Sequence, residues 1–125
     1  MLDLSHKKLK AWQKAILLLP LIYRLCEKLP RDETYNLIGQ MKRAGLSVSN
    51  NLAEGSARKS KPEKNRFYEV ARSSLVEVDN CLIASIAVRY LKKDDLKEVD
   101  AAIVEVFKLI TGLIDSNLEQ GKVLS

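Results

Sequence analysis

Apolar residues recur at alternating steps of three and four in four separate blocks, and that spacing restricts the chain to helices. The clearest block is Leu96, Val99, Ile103, Val106, Ile110 and Leu113. The first block carries two seams side by side. One is Leu9, Trp12, Ile16, Leu19, Tyr23 and Cys26; the other is Ala15, Leu18, Ile22, Leu25 and Leu29. The second block runs through Leu37, Met41, Ala44, Val48 and Leu52. The third runs through Phe67, Ala71, Ser74, Val78, Cys81, Ser85 and Val88. Strands would instead alternate with a period of two. Gly and Pro together number 8 of 125 residues, too few for a turn-rich β fold.

The breaks between blocks carry helix-end chemistry. Leu29-Pro30-Arg31-Asp32 is the first turn, with Asp32 as a cap for the second helix. Gly55, which opens the second loop, reads as a left-handed helix stop. Ser60-Lys61-Pro62-Glu63 reads as a capping box with proline in the first turn. Asp95 closes the third turn. These marks place helices at about 9–29, 32–54, 61–91 and 95–118, with fraying from Gly121 to Ser125. The expected architecture is a single all-α domain over residues 1–125, an antiparallel up-down-up-down four-helix bundle. Pro20 removes a backbone hydrogen bond inside the first helix, so a kink is expected there.

With two seams, and with Leu17 and Leu21 added, the first helix is apolar almost all round. A bundle needs only one such stripe from each helix. Leu17, Leu18 and Leu21 are therefore expected to meet another subunit, in preference to a generous monomer core.

The net charge of +5 is unevenly placed. Residues 1–31 hold 7 basic and 2 acidic residues, as do residues 42–68, so each segment is +5. Residues 32–41 are −2, and residues 69–125, with 7 basic and 10 acidic, are −3. This asymmetry favours a polyanionic partner or an anionic surface. Cys26 and Cys81 lie on apolar stripes without neighbouring ligands, which reads as buried free thiols in a reducing compartment. The lysines and apolar run of the amino terminus superficially resemble a signal peptide. Arg24, Glu27 and Lys28 follow at once, and the run is well short of the ~20 residues of a membrane span. A cytoplasmic protein without a membrane partner is expected.

Several segments together resemble the bacterial four helix bundle family, also called 23S ribosomal RNA intervening-sequence proteins. They are Leu9-Lys10-Ala11-Trp12-Gln13-Lys14-Ala15, Leu29-Pro30 and its acidic followers, Gln40-Met41-Lys42-Arg43-Ala44, and Ser47 to Gly55 with Arg58. Phe67, Ala71-Arg72-Ser73-Ser74-Leu75 and Glu77 continue the likeness, which covers about Leu9 to Leu113. The resemblance implies an antiparallel bundle assembled as a homopentamer. A related bundle, the accessory variability protein of diversity-generating retroelements, implies nucleic acid or a reverse transcriptase as partner.

Catalysis is not expected. The single histidine is His6, and no nucleophile–base pair, phosphate loop or metal-ligand spacing is present. No cofactor and no metal are expected. Two polar groups stand out. Asn51, Glu54, Gly55, Arg58 and Arg72 read as a structural polar corner, with Glu54 paired to Arg58 or Arg72; a ligand site is the competing reading. Lys42, Arg43, Arg58, Lys59, Lys61, Lys64 and Arg66 read as a nucleic-acid surface, against the alternative of a solvated face. Tyr35 and Tyr68 are the aromatics left for base stacking, since Trp12 and Phe67 fall on seams. The expected function is a non-catalytic, basic homo-oligomer that binds RNA or DNA through charge and shape. The alternative is a protein-interaction adaptor, for example for a reverse transcriptase.

Overall fold

The structure, a computed structural model, describes residues 1–2 and 4–124, with side chains described as far as Glu119. It contains four long helices: α1 (Lys10–Cys26), α2 (Gly39–Ser56), α3 (Lys61–Ala87) and α4 (Lys97–Leu124). No strand is present among the described residues. The helices touch in a closed order, α1 to α2 to α3 to α4 and back to α1, around one helical-bundle core.

The core uses one stripe from each helix. Met41, Ala44, Val48 and Leu52 of α2 are buried, as are Leu96, on the 3-10 turn before α4, and Val99, Ile103, Val106 and Ile110 of α4. Ile114, rather than Leu113, completes the α4 stripe. In α1 the buried seam is Ala15, Leu18, Ile22 and Leu25, while Ile16, Leu17 and Tyr23 are exposed. Leu18 is 1% exposed and belongs to this chain's own core, which corrects its expected place at a subunit interface. In α3 the buried stripe is Tyr68, Ala71, Leu75, Val78, Leu82 and Ser85. Phe67 is half-buried and Val88 exposed, so the expected seam of α3 is out of phase at its ends.

Local chemistry explains the helix ends. Arg31–Glu33 forms a 3-10 turn and Thr34–Ile38 a π turn, so regular α2 starts seven residues later than expected. Here the Thr34 hydroxyl donates to the Arg31 carbonyl (2.7 Å), and Asn36 donates to the Glu33 carboxylate (2.8 Å). Such side-chain bonds compete with the helical ladder. The Asp32 side chain makes no cap hydrogen bond, a second correction. Ser60 does cap α3, accepting from the Glu63 N–H at 3.2 Å, with Pro62 in the first turn. Asp95 accepts from the Lys92 N–H at 2.8 Å, on the turn before α4. That helix runs on to Leu124, six residues past the expected end; the expected fraying at Ser125 falls outside the described residues. Pro20 lies within a continuous α1, at an exposed position. The carbonyl it leaves unpaired is that of Ile16, also on the exposed side, where water can serve it.

Gly55 is right-handed and helical, not a left-handed stop. The left-handed residue is Arg89 (φ 68°), just past α3. There the Tyr90 N–H bonds the Ser85 carbonyl at 2.9 Å and the Arg89 N–H bonds the Ile86 carbonyl at 2.9 Å. This is the paired-bond pattern of a left-handed helix end, built without glycine.

Candidate nucleic-acid interface

The α2–α3 corner is drawn together by the absence of a side chain. A Cβ on Gly55 would lie 2.8 Å from the Tyr68 ring and 2.9 Å from Phe67 Cβ. Real Cβ contacts are longer, so only glycine lets α3 start this close to α2. The end of α2 is then finished by α3: the Lys64 ammonium donates to the Ser56 carbonyl at 2.8 Å, supplying a donor that the helix end lacks. Further along, Ser47 Oγ and Ser74 Oγ are 2.9 Å apart, and Asn51 donates to the Ser47 carbonyl (2.8 Å) and hydroxyl (3.0 Å).

The structural polar corner expected from the sequence is therefore divided. Asn51 serves the α2–α3 seam. Glu54 is exposed, and no ion pair among the described residues joins it to Arg58 or Arg72. Arg72 points to α4, donating to Thr111 Oγ1 at 3.1 Å and lying 5.9 Å from the Phe107 ring centre. Arg58 instead lies over the Phe67 ring, with the guanidinium carbon 4.6 Å from its centre.

The seven expected nucleic-acid-binding residues form two groups. Lys42 and Arg43 sit near the start of α2, Lys42 with its ammonium 4.6 Å from the Tyr23 ring centre of α1. Arg58, Lys59, Lys61, Lys64 and Arg66 lie at the α2–α3 corner, about 24 Å away by the helical rise. Within residues 57–66 there are five cations and one carboxylate, Glu63. None of the five is in an ion pair among the described residues. Arg58, Glu63, Arg66 and Phe67 line an open cavity of ≈ 210 Å³. Tyr68 is 3% exposed, and burial raises its hydroxyl pKa, so it offers no stacking face. Tyr35 is 97% exposed, but on the π turn remote in sequence from the corner.

Two features escaped the sequence reading. Buried Asn65 donates to the Ile114 carbonyl at 3.2 Å and accepts from Asn117 at 2.8 Å, tying the start of α3 to the end of α4. The signal was there: Asn65 precedes Tyr68 by three residues and so shares its buried phase. The second is an apolar groove of ≈ 250 Å³ between α3 and α4, with exposed Val76, Val104 and Phe107 on its walls. Both cysteines are buried and free, with Cys26 Sγ 3.9 Å from Met41 Sδ. Burial raises both thiol pKa values; nearby Lys42 opposes this at Cys26, and Glu77 adds to it at Cys81.

Fold and corner together define a small helical-bundle protein with an unpaired basic corner. No group of His, Cys, Asp or Glu among the described residues could hold a metal ion. No described helix is long and apolar enough to cross a membrane. Residues 7–112 match the family described as 23S rRNA-intervening sequence protein, and the chain belongs to that family. No curated protein matches the sequence.

Proposed function

We propose that this protein is a non-catalytic nucleic-acid-binding scaffold of the cytoplasm, acting through charge and shape. The observation that carries the reading is the run of five cations against one carboxylate in residues 57–66, with no ion pair among the described residues to neutralise them. Phosphate contacts need no fixed spacing, so such a surface binds with low sequence specificity and strong salt dependence. The family's name associates it with ribosomal RNA, which favours RNA as the polyanion.

The assembly proposed is an antiparallel bundle repeated in a homo-oligomeric ring, a homopentamer. Cross-helix bonds support the antiparallel order: Lys64 meets Ser56 where Ser74 meets Ser47, and Lys14 meets Glu105 where Lys28 meets Asp95. Two unlike apolar faces support the ring. Leu17, 62% exposed, and half-buried Leu21 border a groove on the α1–α4 side; Val76, Val104 and Phe107 form the α3–α4 groove. Contacts between unlike faces close into a ring when the rotation from copy to copy closes. Such a ring would multiply the basic corner by the subunit number.

Binding of labelled single- and double-stranded oligonucleotides across a salt series tests the function. The affinity should fall steeply with salt and collapse in the triple variant Lys59→Glu, Lys61→Glu, Arg66→Glu. Lys64 is left alone because it finishes α2. Unchanged RNA retention by that variant would count against the proposal. Light scattering that returns the mass of one chain would refute the ring.

A further inference from the structure

Charge alone does not distinguish a single strand from a duplex, yet the corner contains more than charge. Phe67 is fixed at its Cβ by the close approach at Gly55, and its ring is covered by the Arg58 guanidinium. Arg58 is exposed, so the outer face of its planar guanidinium is open to solvent. Bases of unpaired strands stack on aromatic rings and on arginine planes alike. The cavity beside this pair, ≈ 210 Å³, is smaller than the ~300–1,000 Å³ of clefts that enclose a whole small-molecule ligand. It suits one planar group with the rest of the ligand outside. Arg66 lines it and can reach a flanking phosphate, while Glu63 is the one acceptor that can meet an amino or ring N–H on the edge of a base.

We propose that Arg58 and Phe67 form a stacking platform for one unpaired nucleobase, making this protein a reader of single-stranded segments. The inference rests on the nucleic-acid reading above. A base layered on the guanidinium extends the stack that Phe67 begins. A paired base in a duplex presents only its edge, so the platform stays empty there and the duplex binds through phosphates alone.

Three probes of equal phosphate number separate the possibilities: a single-stranded RNA, a duplex of half its length, and a strand of abasic units. Fluorescence anisotropy at fixed salt should show the base-bearing strand bound about 5- to 150-fold more tightly than the abasic one, the range that stacking of one base confers. Arg58→Lys keeps the charge and loses the plane; Phe67→Leu keeps bulk and loses the ring. Each should remove most of that difference, with abasic-strand affinity and its salt slope unchanged. Arg58 is an exposed side chain, so Arg58→Lys tests the platform even if Phe67→Leu disturbs folding, which circular dichroism would report. Equal affinity of the wild type for base-bearing and abasic strands overturns the platform and leaves charge-driven binding standing. Binding of all three probes with the variants unaltered overturns it likewise. Absence of binding to any probe overturns both readings.

Discussion

The α2–α3 corner and the α3–α4 turn solve the same problem, joining two packed helices through a short connection, with opposite means. At the first, a glycine is present and its backbone is ordinary; at the second, the backbone is left-handed and the residue is Arg89. At the first, the cations have no carboxylate partners among the described residues. At the second, Lys28 is 2.9 Å from Asp95 and Lys97 is 3.6 Å from Asp94. The difference teaches that glycine can mark tight packing as readily as an unusual dihedral. It also teaches that charge paired within the fold and charge left without an ion pair among the described residues occupy different turns of one small chain.

Reversing Lys93 and Lys97 to glutamate, beside the triple variant at the corner, tests that division most strongly. The corner variant should lose polyanion affinity by more than tenfold at low salt and lower the salt slope by about two to three. The Lys93/Lys97 variant should change either by less than about a factor of two to three. Equal losses would erase the distinction between the two turns.

Gly55→Ala should destabilise by about 1–3 kcal/mol, because the added methyl meets Phe67 Cβ, which the backbone holds in place. Gly112→Ala is its control. Nothing lies within 4 Å of a Cβ there, so removing a glycine from α4 should stabilise by about 0.5–1 kcal/mol. Thermal melts that moved in the same direction would break the packing account of Gly55.

Arg89→Gly should stabilise by about 0.5–1 kcal/mol, since glycine enters the left-handed region without steric cost. A lower melting temperature would show that the Arg89 side chain contributes more than its backbone costs. The smallest effect concerns Asp95. Its carboxyl is held below its ordinary 3.8 by the Lys92 N–H and by Lys28. A depressed folded pKa stabilises above the unfolded value and is lost as pH falls through the folded one. Asp95→Ala should therefore lower the melting temperature slightly at neutral pH, and the gap should close as pH falls below 3.8. A gap that persisted there would assign the effect to packing.

The body of α4 was legible because one phase of its sequence is far more apolar than the rest. The third helix was not, for Val70, Val76, Ile83 and Val88 are apolar yet exposed. With apolar residues in two phases, periodicity cannot choose between a seam through Phe67 and one through Tyr68; only packing against α2 and α4 does. Lys42 to Arg66 were legible as cations, and the helical rise between residues 42 and 56 divides them into two groups that a single list of basic residues runs together. The partners of Arg58 and Arg72 depend on register between helices, and no local pattern encodes it. The Gly55 error has a physical root as well: a glycine before a polar loop looks the same whether it spares a strained dihedral or admits a neighbouring ring.

The clasp between Asn65 and the far end of α4 bears on where this protein can be cut. Family similarity stops at residue 112, whereas the groups that satisfy the Asn65 amide belong to Ile114 and Asn117. A chain trimmed to the shared segment would strip both bonds from Asn65, the fifth residue of α3, a loss of about 1–3 kcal/mol where the amide stays dry. The folding unit is longer than the stretch by which its kin are recognised, and proteolysis of the last turns should loosen the corner at the opposite extreme of the sequence pairing.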